Sequence, residues 1–477
     1  MAVPTSIVWF RQDLRVKDNP ALNAASSLGN IIPVYIEDTT LPASRVPGGV
    51  SKWWLHHSLT ALNQRLNDHL IILRGDPKSL LPELMDTLAI DHVFWNRCYE
   101  PWAISRDKAI KQTLRDKGKA AKSFNGSLLW EPWDIENKSG APYKVFTPFY
   151  RKGCLQAAEP RYPQAPPARI TYADIDSNEQ FLTIDQLNYL PAIKWYDGIA
   201  NTWQPGEEGA AARLATFIED AATEYKTNRD FPAIPGTSML SAHLHAGEIS
   251  PHQIWYAIKG AFGDNENKGI DTFLSELGWR EFAHHLIYHF PDFPDKNFNQ
   301  KFDSFPWRFD QSDFDKWKTG HTGVPIVDAG MRELWHTGFM HNRVRMIVGS
   351  FLVKNLLMDW RKGEAWFWDC LADADLANNT AGWQWIAGSG ADASPYFRVF
   401  NPILQGEKFD KDGNYVTKWC PELKHLPAKY IHKPWEASQP LLRESGITLG
   451  EQYPKPMVDL KATRERALAA FGEIKGQ

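Results

Sequence analysis

The stretch Ser6-Ile-Val-Trp-Phe10, followed by Arg11-Gln-Asp-Leu-Arg15, decides how the first part of the chain folds. A short, mostly apolar run of this kind is typical of a strand buried on both faces of a parallel sheet. Similar runs recur downstream at Ile31–Ile36, Leu70–Leu73 and His92–Trp95. Between the runs, apolar residues recur at helical spacing in Trp53–Leu66, Leu80–Leu88 and Ala103–Asp116. The alternation predicts a doubly wound α/β domain.

The turn after the first strand lacks one familiar signature. A dinucleotide-binding domain carries a glycine-rich phosphate turn at this point. Here the turn reads Arg11-Gln-Asp-Leu-Arg15, so the dinucleotide fingerprint is absent.

The rest of the chain changes character twice. Residues 133–206 are rich in Pro, Asn, Asp and Ala, which predicts an interdomain linker after an α/β domain at 1–132. Residues 207–477 show helical periodicity and predict an all-α domain. Its expected helical segments are Gly209–Thr227, Ser250–Ala261, Asp271–Tyr288, Val324–Thr337, Arg343–Asp359, Gly363–Leu371 and Lys461–Phe471.

Composition narrows the class of protein. The 477 residues carry a net charge of −4, so any attraction to nucleic acid must come from a local positive surface. Four well-separated cysteines suggest neither a disulfide framework nor a zinc site, and a metal is not expected. With no apolar run of membrane length and no basic N-terminal lead, neither secretion nor a membrane partner is expected. The 21 tryptophans are an excess that needs explaining.

Two segments place unusual side chains on one helix face. Glu276, Trp279 and Arg280 are spaced i, i+3 and i+4, so an acid, a large ring and a cation would line one wall. Taken alone, a plain Glu–Arg pair beside a half-buried Trp is the commoner reason for such a pattern. The segment His341–Met346 likewise groups Asn342, Arg345 and Met346, with Arg343 turned elsewhere, although helix starts with solvated arginines are common.

Two further segments are rich in polar side chains. Leu371–Trp385 crowds Asp, Asn and Trp together, and an ordinary capped loop explains the pattern as well as a functional site does. Pro235–Ser241 offers hydroxyls and backbone N–H groups before a helical stretch, which suits a phosphate cradle or a simple N-cap.

Together these segments resemble the photolyase/cryptochrome family. The N-terminal marks are Trp9-Phe-Arg-Gln-Asp-Leu-Arg15 and Asp18-Asn-Pro-Ala-Leu22. The C-terminal marks are the four stretches above and Pro395-Tyr-Phe-Arg-Val-Phe-Asn-Pro402. The resemblance is greatest to enzymes that repair cyclobutane pyrimidine dimers, and it implies an α/β domain joined to a helical FAD-binding domain.

The resemblance assigns a cofactor. It implies FAD contacts from Tyr225, Thr237, Ser238, Met239, Leu240, Ser241, Arg280, Arg345, Asp373, Asp375 and Asn379. Asn379 matches the residue facing flavin N5, where plant cryptochromes usually carry Asp. An amide there favours the reduced anion that repair requires.

The resemblance also assigns a substrate, ultraviolet-damaged DNA with the dimer flipped out of the duplex. Trp279 and Trp385 would grip the dimer, while Glu276, Asn342 and Met346 would contact it. Enzymes that act on the (6-4) photoproduct are similar but carry His where Asn342 and Met346 stand. Arg229, Arg343 and Arg398 match positions that hold backbone phosphates. Trp383, Trp360 and Trp307 match a chain that carries electrons to the flavin, although each alone is typical of a core Trp.

Several expectations stay broader. An antenna chromophore is expected in or beside the α/β domain, with methenyltetrahydrofolate favoured over a deazaflavin and no residues assigned. A cytoplasmic monomer, associated with the nucleoid in a bacterium, fits repair. The short C-terminus lacks the long tail of signalling cryptochromes. Two alternatives remain open: a cryptochrome photoreceptor with the same fold and FAD, and a flavin-free module that stacks single-stranded nucleic acid on its tryptophans.

Overall fold

The computed structural model describes residues 3–176, 178–263, 266–393 and 397–475. Its first part is a five-stranded parallel sheet flanked by helices. The strands are β1 (Thr5–Phe10), β2 (Asn30–Asp38), β3 (Ile71–Gly75), β4 (His92–Asn96) and β5 (Ala120–Phe124). The accompanying helices are α1 (Pro20–Leu28), α2 (Gly49–Arg65), α3 (Pro77–Thr87) and α4 (Pro101–Asp116). The prediction of a doubly wound α/β domain is confirmed.

The order of the strands creates a crevice. They run β3-β2-β1-β4-β5, so the chain first builds outward from β1 on one side and then returns to build on the other. Ile7, Val8 and Phe10 of β1 are fully buried because the strand is central and covered on both faces. Loops leaving β1 and β4 therefore diverge at the carboxyl edge, where open α/β sheets bind ligands.

Two elements of this part were not predicted from the pattern of apolar residues. β5 is an edge strand of sequence Ala-Ala-Lys-Ser-Phe whose residues are mostly half-buried, so it shows no apolar run. The sequence signal for α1 lies at its N-terminus and not in apolar spacing. The Asn19 side chain accepts from Leu22 N there, and Pro20 occupies the first turn.

The remaining helices form the second part, preceded by two short ones in the segment between the two parts. They are α5 (Phe146–Pro148), α6 (Asp197–Thr202), α7 (Glu207–Asp220), α8 (Tyr225–Asn228), α9 (Ser241–Ala246), α10 (Pro251–Phe262), α11 (Lys268–His289), α12 (Gln311–Lys318), α13 (Pro325–Thr337), α14 (Asn342–Ser350), α15 (Trp360–Cys370), α16 (Leu376–Ala387), α17 (Pro402–Phe409), α18 (Asn414–Trp419), α19 (Ala428–Ile431), α20 (Gln439–Glu444) and α21 (Leu460–Lys475). The prediction that this part is helical is confirmed. Among the helices described here, none is long and apolar enough to cross a bilayer.

Two details of the helical prediction are wrong. The segment 209–227 is two helices, because α7 ends at Asp220 and α8 starts at Tyr225. The segment 343–359 is not one α-helix: α14 gives way to a π-helical turn at Phe351–Asn355, a feature often found near functional sites. The polar stretch before Trp383, for which the sequence left a capped loop and a functional site open, contains the start of α16, where the Asp375 side chain accepts from Asn378 N.

The segment between the two parts packs against both. Phe146 and Tyr150 belong to the same buried cluster as Trp255 of α10. Tyr172 forms an isolated β-bridge with Ile31 of β2, so the connecting segment extends the sheet at that point. The domain bounds at 132 and 206 stay a prediction.

A polar cluster fastens the first part to the second. Arg15 is 1% exposed and donates through Nη1 to the carbonyl of Gly247 at 2.9 Å. Asp18 is fully buried and accepts from Ser250 Oγ at 2.5 Å and from Arg161 Nη1 at 2.5 Å. Each charge thus finds its partner on a distant part of the chain, as buried charges require.

Candidate functional site

The helices enclose a cavity of about 560 Å³, called the helical cavity below. Its walls come from α11, α14 and α16, with α8 and the segment before α9 closing it. The predicted site residues that line it are Tyr225, Arg229, Thr237, Ser238, Met239, Leu240, Ser241, Glu276, Trp279, Arg280, Asn342, Arg345, Met346, Asp373, Asp375, Asn379, Trp383 and Trp385. The predicted residues outside the lining are Arg343, Arg398, Trp307 and Trp360.

The wall from α11 carries an acid, a ring and a cation, as the helical spacing predicted. Glu276 forms an ion pair with Arg229 from the end of α8. Desolvation raises the pKa of Glu276, while Arg229 opposes that rise. Trp279 stacks on Phe146, with ring centroids 3.7 Å apart. Arg280 is held by its bond to the carbonyl of Ser127, at 2.7 Å from Nη1.

The wall from α14 begins at a capped helix end. His341 caps the helix by accepting from Arg343 N at 3.2 Å, and Asn342 and Met346 then face the helical cavity. The Arg343 side chain turns away, as predicted, and donates from Nη2 to Asp230 at 2.6 Å. It still reaches Met346 Sδ, 3.7 Å from its Nη1, so it borders the site.

The wall from α16 holds a buried cluster of opposite charge. Asp375 Oδ2 lies 3.5 Å from His284 Nε2 and 3.9 Å from His245 Nδ1. Burial alone would raise the pKa of Asp375, but the two histidines hold that pKa well below its usual range. Burial opposes protonation of His284, yet the Asp375 carboxylate raises the pKa of that imidazole. A carboxylate is therefore kept ionised inside the helical cavity.

Two neighbouring polar groups are also fixed by hydrogen bonds. Arg345 Nη2 donates to both oxygens of Asp373, at 3.0 and 2.9 Å. Asn379 is 8% exposed, and its Nδ2 donates to the backbone carbonyl of Glu364 at 3.1 Å. Only the NH2 end of an amide can donate to a carbonyl, so this bond assigns Nδ2 and leaves Oδ1 as an acceptor on the other side of the group.

The segment before α9 forms a small cradle. Thr237, Ser238 and Ser241 bring hydroxyls to the helical cavity. Met239 has φ of 50°, in the left-handed region that a residue with a side chain rarely adopts. The strained turn brings the flanking backbone N–H and hydroxyl groups to the cavity rim.

The three predicted electron carriers lie in one region. Trp383 lines the helical cavity, is 2% exposed and packs on Phe367 with centroids 4.9 Å apart. Trp360 is fully buried in the same cluster, with its Nε1 donating to Asn297 at 2.9 Å. Trp307 packs at the edge of that cluster. Sequence reasoning missed Trp317, 6.3 Å from Trp383 between centroids, because no local motif marks it.

The structure describes only part of the motif that contains Arg398, since Pro395 and Tyr396 lie outside the described residues. The carbonyl of Arg398 accepts from Lys354 Nζ at 2.8 Å. Lys354 is 3% exposed, and burial lowers its pKa to about 7. This lysine, at the π-helical turn after α14, ties the Arg398 backbone to the helical core.

A second cavity of about 380 Å³ lies at the carboxyl edge of the sheet, called the sheet-edge cavity below. Residues from the ends of β1, β2, β3 and β4 line it, and sequence reasoning missed it. Glu100 Oε1 accepts from Gln12 at 2.8 Å, whereas Glu100 Oε2 is buried without a hydrogen-bond partner among the described residues. Such an orphaned carboxylate oxygen points to a ligand. His245 lines both cavities, so they share a wall.

Comparison with known proteins gives the context for this geometry. Residues 6–168 match the family model for DNA photolyase, and residues 273–473 match the FAD binding domain of DNA photolyase. A deoxyribodipyrimidine photo-lyase of Agrobacterium fabrum is 51% identical over 475 residues, which cover 98% of each chain. Cryptochrome-1 of Arabidopsis thaliana is 36% identical over 98% of this chain and 70% of its own length.

A solved structure shares the whole fold. A bacterial class III photolyase from Agrobacterium tumefaciens superposes with a TM-score of 0.96 at 49% identity, covering 100% of this chain and 99% of its own. The FAD-binding domain and the full-length match argue against the flavin-free alternative. With its parallel sheet, its helical cavity and full-length relatives of this identity, the chain belongs to the DNA photolyase family.

Proposed function

We propose that this protein repairs cyclobutane pyrimidine dimers in DNA by light-driven electron transfer from bound FAD. One observation carries the proposal. The cavity lined by Asn379 is also lined by five residues predicted to contact the dimer: Glu276 and Trp279 of α11, Asn342 and Met346 of α14, and Trp385 of α16. Two stacking rings, an acid, an amide and a thioether then surround the space beside the cofactor. That set suits a flipped-out pair of bases, which needs apolar faces and polar edges.

The helical cavity suits FAD in size and in donors. Its volume of about 560 Å³ is within the roughly 300–1,000 Å³ of small-molecule sites. The hydroxyls of the Thr237–Ser241 cradle and the Arg280 guanidinium would bind phosphates. Asp373 and Asp375 would accept from sugar and ribityl hydroxyls, and Asn379 would present its free oxygen to the ring. When bound, reduced and excited, FAD would lend the one electron that splits the dimer and would take it back after the split, so no net oxidation or reduction occurs.

The protein's own groups would hold the lesion and the DNA. Trp279, already stacked on Phe146, offers a rigid face for a base. Glu276, whose pKa desolvation raises, can donate its O–H to a base carbonyl when it is protonated or accept from a ring N–H when it is ionised. Arg229, Arg343 and Arg398 would bind phosphates around the opening, giving local positive charge in a chain of net charge −4. Trp383, Trp360 and Trp307 would carry an electron inward from the surface.

The sheet-edge cavity is the proposed antenna site. A pterin such as that of methenyltetrahydrofolate presents adjacent ring N–H and amino donors, which match a carboxylate. Glu100, with one oxygen buried and unpartnered, offers that acceptor. The shared wall at His245 would keep antenna and flavin close enough for energy transfer.

The test is light-dependent repair by the purified, FAD-loaded protein. Ultraviolet-irradiated oligonucleotides should lose their dimers under blue light and keep them in the dark. In Glu276→Ala the repair rate should fall about tenfold, the effect of losing roughly 1.4 kcal/mol of stabilisation in the reacting state. The matched control is Asp271→Ala, which breaks another Arg–carboxylate pair on α11 (Arg151–Asp271, 2.7 Å) outside the helical cavity.

The same assay separates repair from signalling. The 36% identity to a plant cryptochrome keeps a photoreceptor role as the second candidate. Flavin-loaded protein that repairs no dimer would favour the photoreceptor. Repair at full rate in Glu276→Ala would remove Glu276 from its assigned place while leaving the activity itself standing.

A further inference from the structure

A buried arginine of the α/β part reaches the helices behind the helical cavity. Arg45 ends a short turn at Ala43–Arg45 before α2, and its side chain is 7% exposed. Its Nη1 donates to Glu364 Oε1 at 3.0 Å. Its Nη2 donates to Asp295 Oδ1 at 3.0 Å and to the carbonyl of Pro294 at 3.2 Å. Bonds in three directions leave this guanidinium little freedom.

Glu364, on α15, connects Arg45 to the wall of the helical cavity. Its Oε1 also accepts from Thr380 Oγ1 at 3.2 Å, and its backbone carbonyl accepts from Asn379 Nδ2 at 3.1 Å. The residue is 4% exposed, burial raises its pKa, and Arg45 opposes that rise. Without Arg45 a buried carboxylate would lose its counter-ion and draw closer to the donor that remains, Thr380 Oγ1, which adjoins Asn379 on α16.

The loop that carries Arg45 is locked onto α15. Trp368 Nε1 donates to the carbonyl of Val46 at 2.9 Å, and Gly49 N donates to Asp369 Oδ1 at 2.8 Å. A Cβ at Gly48 would lie 2.4 Å from Asp369 Cα, so the two backbones are in contact. The loop and α15 therefore move as one body, and Arg45 is placed accurately against Glu364.

We propose that Arg45 is a positioning residue for Asn379: by holding Glu364, it sets the direction in which the Asn379 amide faces the flavin and so the lifetime of the reduced cofactor in air. The inference rests on the proposed function, since it takes Asn379 to face FAD. Arg45 lines the sheet-edge cavity but not the helical cavity. Its influence passes from the α/β part through α15 to α16, a route that local sequence cannot show.

The experiment compares the full, FAD-loaded protein with Arg45→Met and Arg45→Lys. The bound flavin is photoreduced, and its oxidation in air is followed in the dark by absorbance. In Arg45→Met oxidation should be about tenfold faster, the factor that corresponds to losing one hydrogen bond worth about 1.4 kcal/mol. Arg45→Lys should restore most of the lifetime. Hydrogen exchange over α15 and α16 should rise in Arg45→Met and fall back in Arg45→Lys.

A double substitution tests the route. If Arg45 acts through Glu364, then Arg45→Met combined with Glu364→Gln should behave like Glu364→Gln alone, because no unpaired buried charge remains. The matched control is Arg97→Met, which breaks a different Arg–Glu contact of the α/β part (Nε to Glu131 Oε1, 3.1 Å) away from both cavities.

Two outcomes would overturn the inference: a wild-type lifetime in Arg45→Met with flavin bound, or effects of the two substitutions that simply add. Should Arg45→Met fail to fold, Arg45→Gln decides in its place, because it also removes the counter-ion of Glu364: faster oxidation supports the link and a wild-type lifetime refutes it. Wild-type protein that binds FAD but repairs no dimer would overturn the proposed function and leave this comparison valid, since the lifetime is measured on the flavin alone.

Discussion

The helical cavity and the sheet-edge cavity share a wall at His245 but are built on different principles. The helical cavity takes its polar groups from three helix faces, so each face brings several side chains that are close in sequence. The sheet-edge cavity takes most of its residues from the ends of four strands and from the segments that follow them, between Trp9 and Arg106. Helix faces thus concentrate a site within short motifs, whereas a sheet edge distributes it over the whole domain.

One buried carboxylate behind the helical cavity, Glu333, differs from the ion-paired carboxylates that lie around both cavities. At the sheet-edge cavity, carboxylates meet arginines: Asp38 pairs with Arg106 at 2.8 Å and Asp107 with Arg11 at 2.7 Å. Behind the helical cavity, Glu333 relies instead on neutral donors, the Tyr415 hydroxyl at 2.6 Å and His341 N at 3.3 Å. A carboxylate without a cation is sensitive to pH when buried.

The largest effect on the free energy of unfolding should come from replacing Glu333, the buried carboxylate whose charge depends on pH. Burial raises the pKa of Glu333 from 4.5 to about 7. A carboxyl whose pKa is raised by folding costs nothing below pH 4.5, destabilises progressively as pH rises to 7, and destabilises fully above it. Glu333→Gln should therefore be more stable relative to wild type at pH 8 than at pH 5, by up to roughly 3 kcal/mol. Urea unfolding at the two pH values measures this difference, and equal differences would contradict the assigned pKa.

The next effect concerns electron supply to the helical cavity. Trp383→Phe should slow photoreduction of oxidised flavin by about 100-fold, equivalent to roughly 2.7 kcal/mol, because a phenyl ring is much harder to oxidise than an indole. Flavin already reduced chemically should still support repair. The control is Trp255→Phe, a buried Trp of α10 that packs on Trp130 and does not line the cavity. Unchanged photoreduction would remove Trp383 from the path.

A third test probes how tightly the helical cavity is packed. A Cβ at Gly363 of α15 would lie 2.1 Å from the Trp383 ring. Gly363→Ala should therefore lower the free energy of unfolding by about 2 kcal/mol, despite the better helix propensity of Ala. Gly260→Ala in α10, where a Cβ meets nothing within 4 Å, should raise it by about 0.5–1 kcal/mol. Thermal unfolding of both variants measures the contrast, and the same sign in both would refute the packing argument.

The smallest effect should appear at the sheet-edge cavity. Glu100→Ala should weaken binding of methenyltetrahydrofolate by about tenfold, or 1.4 kcal/mol, through loss of a charge-assisted hydrogen bond. Glu83→Ala, on the exposed face of α3, serves as the control. Absorbance titration of the pigment gives both affinities. Equal affinities would mean that another group recognises the pterin, or that the cavity has another ligand.

The contrast between helix faces and the sheet edge also explains which features could be predicted from the sequence. Glu276, Trp279 and Arg280 lie within one helix turn, so spacing alone places them on a common face. β1 carries four consecutive apolar residues, Ile7–Phe10, so its burial is visible in its composition. By contrast, β5 is a half-exposed edge strand with no apolar run, and Glu100 becomes part of a site only through the strand order.

Contacts between residues far apart in the sequence could not be predicted, for a related reason. Arg45 and Glu364 are separated by 319 positions, and nothing in either local sequence indicates the other. The break after α14 and the left-handed Met239 depend on tertiary packing that overrides local propensity. Family resemblance supplied the roles of individual residues, since spacing gives only which side chains share a face.

The polar cluster at the junction of the two parts has a consequence for biosynthesis. Arg15 and Asp18 leave the ribosome early, but Gly247 follows Arg15, and Ser250 follows Asp18, by 232 residues. At about 5–20 residues per second, the nascent α/β part waits roughly 10 to 50 s for these partners. Until then these charges remain hydrated at an open surface. The first domain can thus emerge with a water-exposed, charged face, which protects it from aggregation until the helical part arrives to cover it.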